Sequence, residues 1–157
     1  KKKISPPKRL ITSLYHFIID KPYTANLHYL YCYDPNFQTF RVTFYNNINI
    51  IKQHGFSLTI ETLSPNSPNL EIQEKVVFKE LKKMGIIPKE AQKIYSKATT
   101  IMGGFPVPTH QFQNDLIFQN NLVTTKINNV CLLGKGSGKS FFMTDVLMDV
   151  YKTVSKI

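Results

Sequence analysis

Seven consecutive residues, Gly134-Lys135-Gly136-Ser137-Gly138-Lys139-Ser140, are of types that can hold a phosphate. Glycines allow tight turns and close approach, successive N–H groups can point outward together, and a following helix N-terminus adds its dipole. A nucleotide-hydrolysing loop needs G-x-x-x-x-G-K-[ST]. Counting back from Gly138, the first required glycine falls on Leu133. Such a domain also needs later strands to carry a magnesium-binding carboxylate. Only residues 141–157 follow, and their acids, Asp145 and Asp149, lie within an expected helix. A P-loop fragment binding nucleotide through 134–140 is therefore the second reading, behind a non-catalytic role in contact with a polyanion.

The charge favours that first reading. Across 157 residues, 20 Lys and Arg stand against 10 Asp and Glu, a formal net charge of +10. Arg9 and Arg41 are the only arginines, so most of the cationic charge is lysine, suited to tracking a phosphate backbone more than to bidentate base readout. Lys1, Lys2, Lys3, Lys8 and Arg9 form a basic segment broken by Pro6 and Pro7, which reads as an extended arm because proline cannot join a ladder. His16, His28, His54 and His110 show no metal-ligand spacing with one another or with Cys32 and Cys131, so no metal and no cofactor is expected. Both cysteines sit in apolar runs and read as buried, reduced thiols. The apolar stretch Leu10 to Ile19 is too short for a membrane span and carries Ser, Thr and His, so no membrane association is expected. The chain starts on Lys1, so any removed targeting peptide would be invisible.

The elements that must position these residues follow from periodicity. Leu27 to Tyr33 and Thr39 to Tyr45, separated by Asp34-Pro35-Asn36, predict a β-hairpin. Tyr29, Tyr31 and Tyr33 alternate on one face of it, where rings could stack on bases or pair across strands. Phe56 to Ile60 could add a short strand. Apolar spacing predicts a helix over Leu70 to Met84, opened by Ser67-Pro68 and stopped by Gly85, and a second short helix from Pro88 to Lys97. Ala98 to Phe105 reads as a small-residue turn, Phe112 to Leu122 as a helix, Asn129 to Leu133 as a buried strand, and Ser140 to Tyr151 as a helix.

With strand, glycine loop and helix in that order, the run Val130-Cys131-Leu132-Leu133-Gly134-Lys135-Gly136-Ser137-Gly138-Lys139 resembles the small-subunit ribosomal protein S-eleven family, whose members carry G-x-G-x-G-[RK] there. Ala98-Thr99-Thr100 followed by Met102-Gly103-Gly104-Phe105 is similar to a second signature of that family, and the Leu27 to Tyr45 hairpin to its opening strands. The resemblance implies a divergent mitochondrial ribosomal protein with no catalytic role. Gly134, Lys135, Gly136, Ser137, Gly138 and Lys139 would contact ribosomal RNA, with Thr99, Thr100, Gly103 and Gly104 as a second contact. Lys97, Lys1, Lys2, Lys3, Lys8 and Arg9 would neutralise phosphates around them.

The resemblance further implies an α/β fold, a mixed sheet of ribonuclease-H-like topology flanked by helices. Its partners would be small-subunit ribosomal RNA and neighbouring platform proteins in the mitochondrial matrix, without homo-oligomerisation. Residues 1–25 would be a basic extension and 26–157 one domain, with a helical insertion at about 50–95. The family's Pro-rich basic tail is not found before Ile157. A third reading is an accessory subunit of another large organelle complex.

Overall fold

The computed structural model describes residues 7–48, 54–107, 109–137 and 143–155. They divide into two compact units, Arg9–Pro106 and the pair of segments Lys1–Lys8 and Val107–Ile157.

The larger unit is built on β1 (Arg9–Ile19), β2 (Tyr29–Tyr31), β3 (Thr39–Phe44), β4 (Phe56–Ser64) and β5 (Lys93–Pro106), with a four-residue helix α1 (Tyr45–Ile48) and the helix α2 (Leu70–Lys83). The strands form one sheet in the order β2-β3-β4-β1-β5. The α/β class with helices beside a sheet agrees with the sequence reading, but every described pairing is antiparallel where a mixed sheet was expected. The physical reason lies in the connections: β2 to β3 is a hairpin, and parallel neighbours would need longer crossovers.

β1 is an interior strand, between β4 and β5, and one of its faces is strongly apolar. Tyr15, Phe17 and Ile19 point to one side, where they are essentially buried with Val42, Phe44, Leu58 and Ile60. Helix α2 closes this side with Val77 and Leu81, and Ile86, Ile87 and Ala91 complete the cluster. Each such aliphatic or aromatic side chain contributes roughly 1.5–3 kcal/mol when withdrawn from water. Residues 9–19, read within a basic extension, are thus an interior strand of the sheet. Residues 56–83, read within an insertion, supply β4 and the helix over the core.

The α2 helix spans what its apolar spacing predicted, with Asn69 rather than Ser67 as its N-cap; the Asn69 side chain accepts from the Ile72 N–H at 3.1 Å. Gly85 follows it at φ +69°, the left-handed conformation glycine favours. The hairpin forms as predicted, and the Asp34 carboxylate accepts from the Asn36 N–H at 2.9 Å to set the turn. The helix expected from Pro88 to Lys97 is absent: Lys93 already begins β5, which the β-branched and aromatic residues from Ile94 to Ile101 favour.

The smaller unit contains α3 (His110–Lys126), a 3₁₀ turn (Gly134–Ser137) and α4 (Met143–Val154). Thr109 caps α3 by accepting from the Phe112 N–H at 3.2 Å. Residues 130–133 form no strand, and Cys131, expected to be buried, is exposed; Cys32 is half-buried. Among the described residues no helix is long and apolar enough to cross a membrane.

Candidate functional site

Within residues 9–106, one face of the sheet packs against α2. Strand register places two rows of side chains across the opposite face. One row runs Tyr31, Arg41, Glu61, Leu14, Thr99; the next runs Tyr29, Thr43, Thr59, His16, Lys97. Aromatic, charged and hydroxyl groups thereby alternate over a surface five strands wide. A period of two makes this unavoidable: once Tyr15, Phe17, Val42 and Ile60 face the helix, their sequence neighbours must face away.

Arg41 organises the first row. Its Nε–H donates to Glu61 Oε1 at 2.8 Å, an Nη2–H donates to the same oxygen, and Nη1 donates to the Tyr31 hydroxyl at 3.2 Å. Burial works against the guanidinium's charge, but the bonds to Glu61 and Tyr31 outweigh it and raise its pKa above the ordinary value. A guanidinium carries five N–H donors. Among the described residues three of these are engaged, and the side chain retains 37% exposure through which the other two can reach a ligand.

Tyr31 flanks this cation, and Tyr29 and Tyr33 pack on Tyr31. The Tyr31 and Tyr33 rings stack with centroids 6.2 Å apart at 16°, and Tyr29 meets Tyr31 edge-on at 5.7 Å. Arg41 Cζ lies 5.7 Å from the Tyr31 ring centroid. Tyr33 is 82% exposed and Tyr29 60%, so the stack offers ring surface that no core residue covers. In the second row, His16 Nδ1 lies 2.7 Å from Thr59 Oγ1, and that hydroxyl donates to the Tyr45 oxygen at 3.0 Å.

The residues singled out in the sequence fall as follows. Lys97, Thr99 and Thr100 lie on β5, the edge strand, with Lys97 and Thr99 in the two rows. Gly103 and Gly104 lie on the same strand rather than in a turn, and Arg9 Nη1 donates to Gly103 O at 3.2 Å, which joins two of the named residues. Lys8 is exposed, and its carbonyl accepts from Val107 N–H at 2.8 Å. Gly134, Lys135, Gly136 and Ser137 form the 3₁₀ turn, tied to α3 by Asn120, whose amide donates to the Ser137 carbonyl. Lys1, Lys2, Lys3, Gly138 and Lys139 lie outside the described residues.

Sequence reading missed His16, Arg41, Thr59 and Glu61. The signal that could have found the strand holding His16 was the run Leu10 to Ile19 itself, since a continuous aromatic and β-branched stretch before Asp20-Lys21-Pro22 fits an interior strand. Arg41 and Glu61 are twenty positions apart, and only register joins them.

No family model matches the sequence, and no curated protein does. Among solved structures, the fold is similar to part of a reduced UDP-galactopyranose mutase (TM-score 0.63, 13% identity, 76% of this chain, 27% of that one). It is also similar to part of a protein from Exiguobacterium sp. 255-15 assigned as a protoporphyrinogen oxidase (TM-score 0.56, 12% identity, 96% of this chain, 35% of that one). The chain thus spans about a third or less of the length of the structures it matches.

This likeness overturns the ribosomal S-eleven assignment, and with it the structural role in a ribosomal subunit, the vocabulary of translation and ribonucleoprotein, and the exclusion of an enzymatic setting. The two ribosomal signatures dissolve physically as well. Ala98 to Phe105 lies within β5, paired with β1 at Ala98 to Ile101 and at Phe105 with an irregularity between them, and no strand leads into the glycine loop among the described residues. The second point also removes the scaffold that the P-loop reading required.

Proposed function

We propose that residues 9–106 are the ligand-facing sheet of an enzyme, and that the face bearing Tyr29, Tyr31, Tyr33, Arg41 and His16 grips a ring-bearing, negatively charged small molecule. The observation that carries this reading is the Arg41 guanidinium, fixed between Glu61 and Tyr31 with two N–H donors unspent, beside stacked and exposed tyrosine rings. Rings supply stacking for a planar or sugar ring at low conformational cost, and a pre-oriented guanidinium supplies paired donors for phosphate or carboxylate. The names of the two similar enzymes fit such a ligand: UDP-galactopyranose combines a base and a sugar with a diphosphate, and protoporphyrinogen is a macrocycle. The formal net charge of +10 draws an anion toward the protein before contact.

A titration with UDP-galactose, and separately with protoporphyrin, followed by backbone amide shifts in the ¹H–¹⁵N spectrum, tests the reading. Saturable shifts are expected at Tyr29, Tyr31, Arg41 and Thr99. Arg41→Gln is expected to weaken binding by roughly tenfold to a hundredfold, the range of a lost charge-assisted hydrogen bond. Shifts confined to residues outside the two rows, or unchanged affinity in the variant, would overturn it.

A further inference from the structure

On the side of the sheet that packs against α2, one row is made of hydroxyl residues alone. Register sets Thr39 of β3 beside Thr62 of β4, Thr62 beside Ser13 of β1, and Ser13 beside Thr100 of β5. The Thr39 hydroxyl is bonded to Glu80 of α2 at 2.7 Å. Ser13 and Thr62 are each 1% exposed, and their hydroxyl oxygens have no hydrogen-bond partner among the described residues. We propose that Ser13, Thr62 and Tyr15 hold one buried water molecule between the sheet and α2.

Protein interiors rarely leave a buried hydroxyl without a partner, because its desolvation is then uncompensated. Here two such groups stand directly opposite each other on neighbouring strands. What they lack is a polar atom in the right position, so the lack does not depend on where any hydroxyl proton points.

Tyr15 supplies the third oxygen. It is the next residue of β1 on the same side, and its hydroxyl is bonded to Gln73 of α2. Burial raises the Tyr15 pKa while Ser13 and Thr62 act against that rise, so both lie close to the phenol, yet neither is aligned for a direct bond to it. Three neighbouring oxygens without a direct bond among them match the two to four partners that a buried water takes.

The row also leaves room. Ser13 and Thr62 are shorter than Tyr15 and Ile60, their counterparts in the next row, so they fill less of the layer under α2. All three groups are neutral and each can give or accept a proton, which suits water and offers a cation no counter-charge.

The ¹⁷O relaxation dispersion of water in solutions of the full chain counts water molecules held longer than the protein tumbles, and it does not register hydroxyl protons. Wild type is expected to hold one more such water than Ser13→Ala/Thr62→Val, and Thr62→Ser to keep the wild-type count. Thr62→Val is close to threonine in shape, and its urea midpoint is expected to fall because the water loses a partner.

Equal counts in wild type and the double variant would overturn the proposal. So would an unchanged or higher midpoint in Thr62→Val, the result for a hydroxyl that had no partner to lose. Should the double variant not fold, the count in Thr62→Val against Thr62→Ser decides: fewer in the valine variant upholds the water, and equal counts overturn it.

Discussion

The carboxylate of Glu80, on the last full turn of α2, holds the first residue of β3 by two bonds: Oε2 accepts from the Thr39 N–H at 3.0 Å and from the Thr39 hydroxyl at 2.7 Å. Oε1 takes a third, from the Gln38 N–H at 2.9 Å. Glu80 is 8% exposed and Thr39 2%, so the helix and the sheet are joined through a nearly buried carboxylate that accepts three bonds.

Removing that carboxylate strands buried donors. Glu80→Ala is expected to cost about 3 kcal/mol, since each unmade bond to a charged group costs roughly 1.5–3 kcal/mol and water recovers part of the loss. Glu80→Gln keeps one acceptor and should cost less. Urea denaturation with an unchanged slope checks both, and an alanine variant as stable as wild type would show that the three bonds contribute nothing net.

Alkaline stability should depend on Tyr23. Burial pushes its phenol up to about 12, and its single hydroxyl proton is shared between Asn46 Oδ1, at 2.9 Å, and the Ser57 carbonyl. An unfolded tyrosine ionises near its ordinary value of 10.0 while the folded one stays protonated. The unfolded chain therefore binds fewer protons between pH 10.0 and about 12, and stability falls as pH rises through that window. Tyr23→Phe should flatten the decline, measured as the urea midpoint against pH.

Acid stability should depend on Glu74 in the opposite sense. Burial raises its pKa, but the Lys93 ammonium at 2.6 Å, together with the Ser96 hydroxyl, overrides this and leaves it below the ordinary value of 4.5. A depressed carboxylate stabilises the fold above its unfolded pKa and loses that contribution as pH falls through its folded one. Stability should decline as pH drops below about 4.5, and Glu74→Gln should shrink the decline.

The close approach of β5 to β1 makes Gly104 sensitive. A Cβ there would lie 2.8 Å from Thr12 Oγ1 and 3.2 Å from Thr12 Cβ, beside a register shift between Leu10 and Thr12. Gly104→Ala is expected to destabilise by about 1–3 kcal/mol through overpacking. The paired variant Gly104→Ala with Thr12→Ala should recover much of it, because the contact that must give is a side chain.

Local signals were read well where one element decides its own form. Leu70 to Lys83 carries its spacing, its cap two residues from the expected one, and its glycine stop within a single stretch. Asp34-Pro35-Asn36 makes its turn by a bond two residues long. Signals failed where two states share one composition. Ala98 to Phe105 is small and glycine-rich enough for a turn, yet Ala98 to Ile101 and Phe105 pair with β1 and keep it within a strand, while the glycines fall at the irregularity between them, with Gly103 at φ +63°. Cys131 sits in an apolar run and is exposed, because the run never becomes a strand with a face to bury.

By itself, the sequence determined the helix over residues 70–83, the hairpin ending in β3, the α/β class and the positive charge, since propensity, turn chemistry and net charge act within a few residues or need no geometry at all. Tertiary structure alone decided that β1 lies between β4 and β5, and so that Arg41 meets Glu61 and His16 meets Thr59. Those pairs are 20 and 43 positions apart in the chain. What brings them within 3 Å is the burial of Tyr15, Phe17, Val42, Leu58 and Ile60 on the opposite side of the sheet: burying one face fixes the register, and the register fixes what the other face offers.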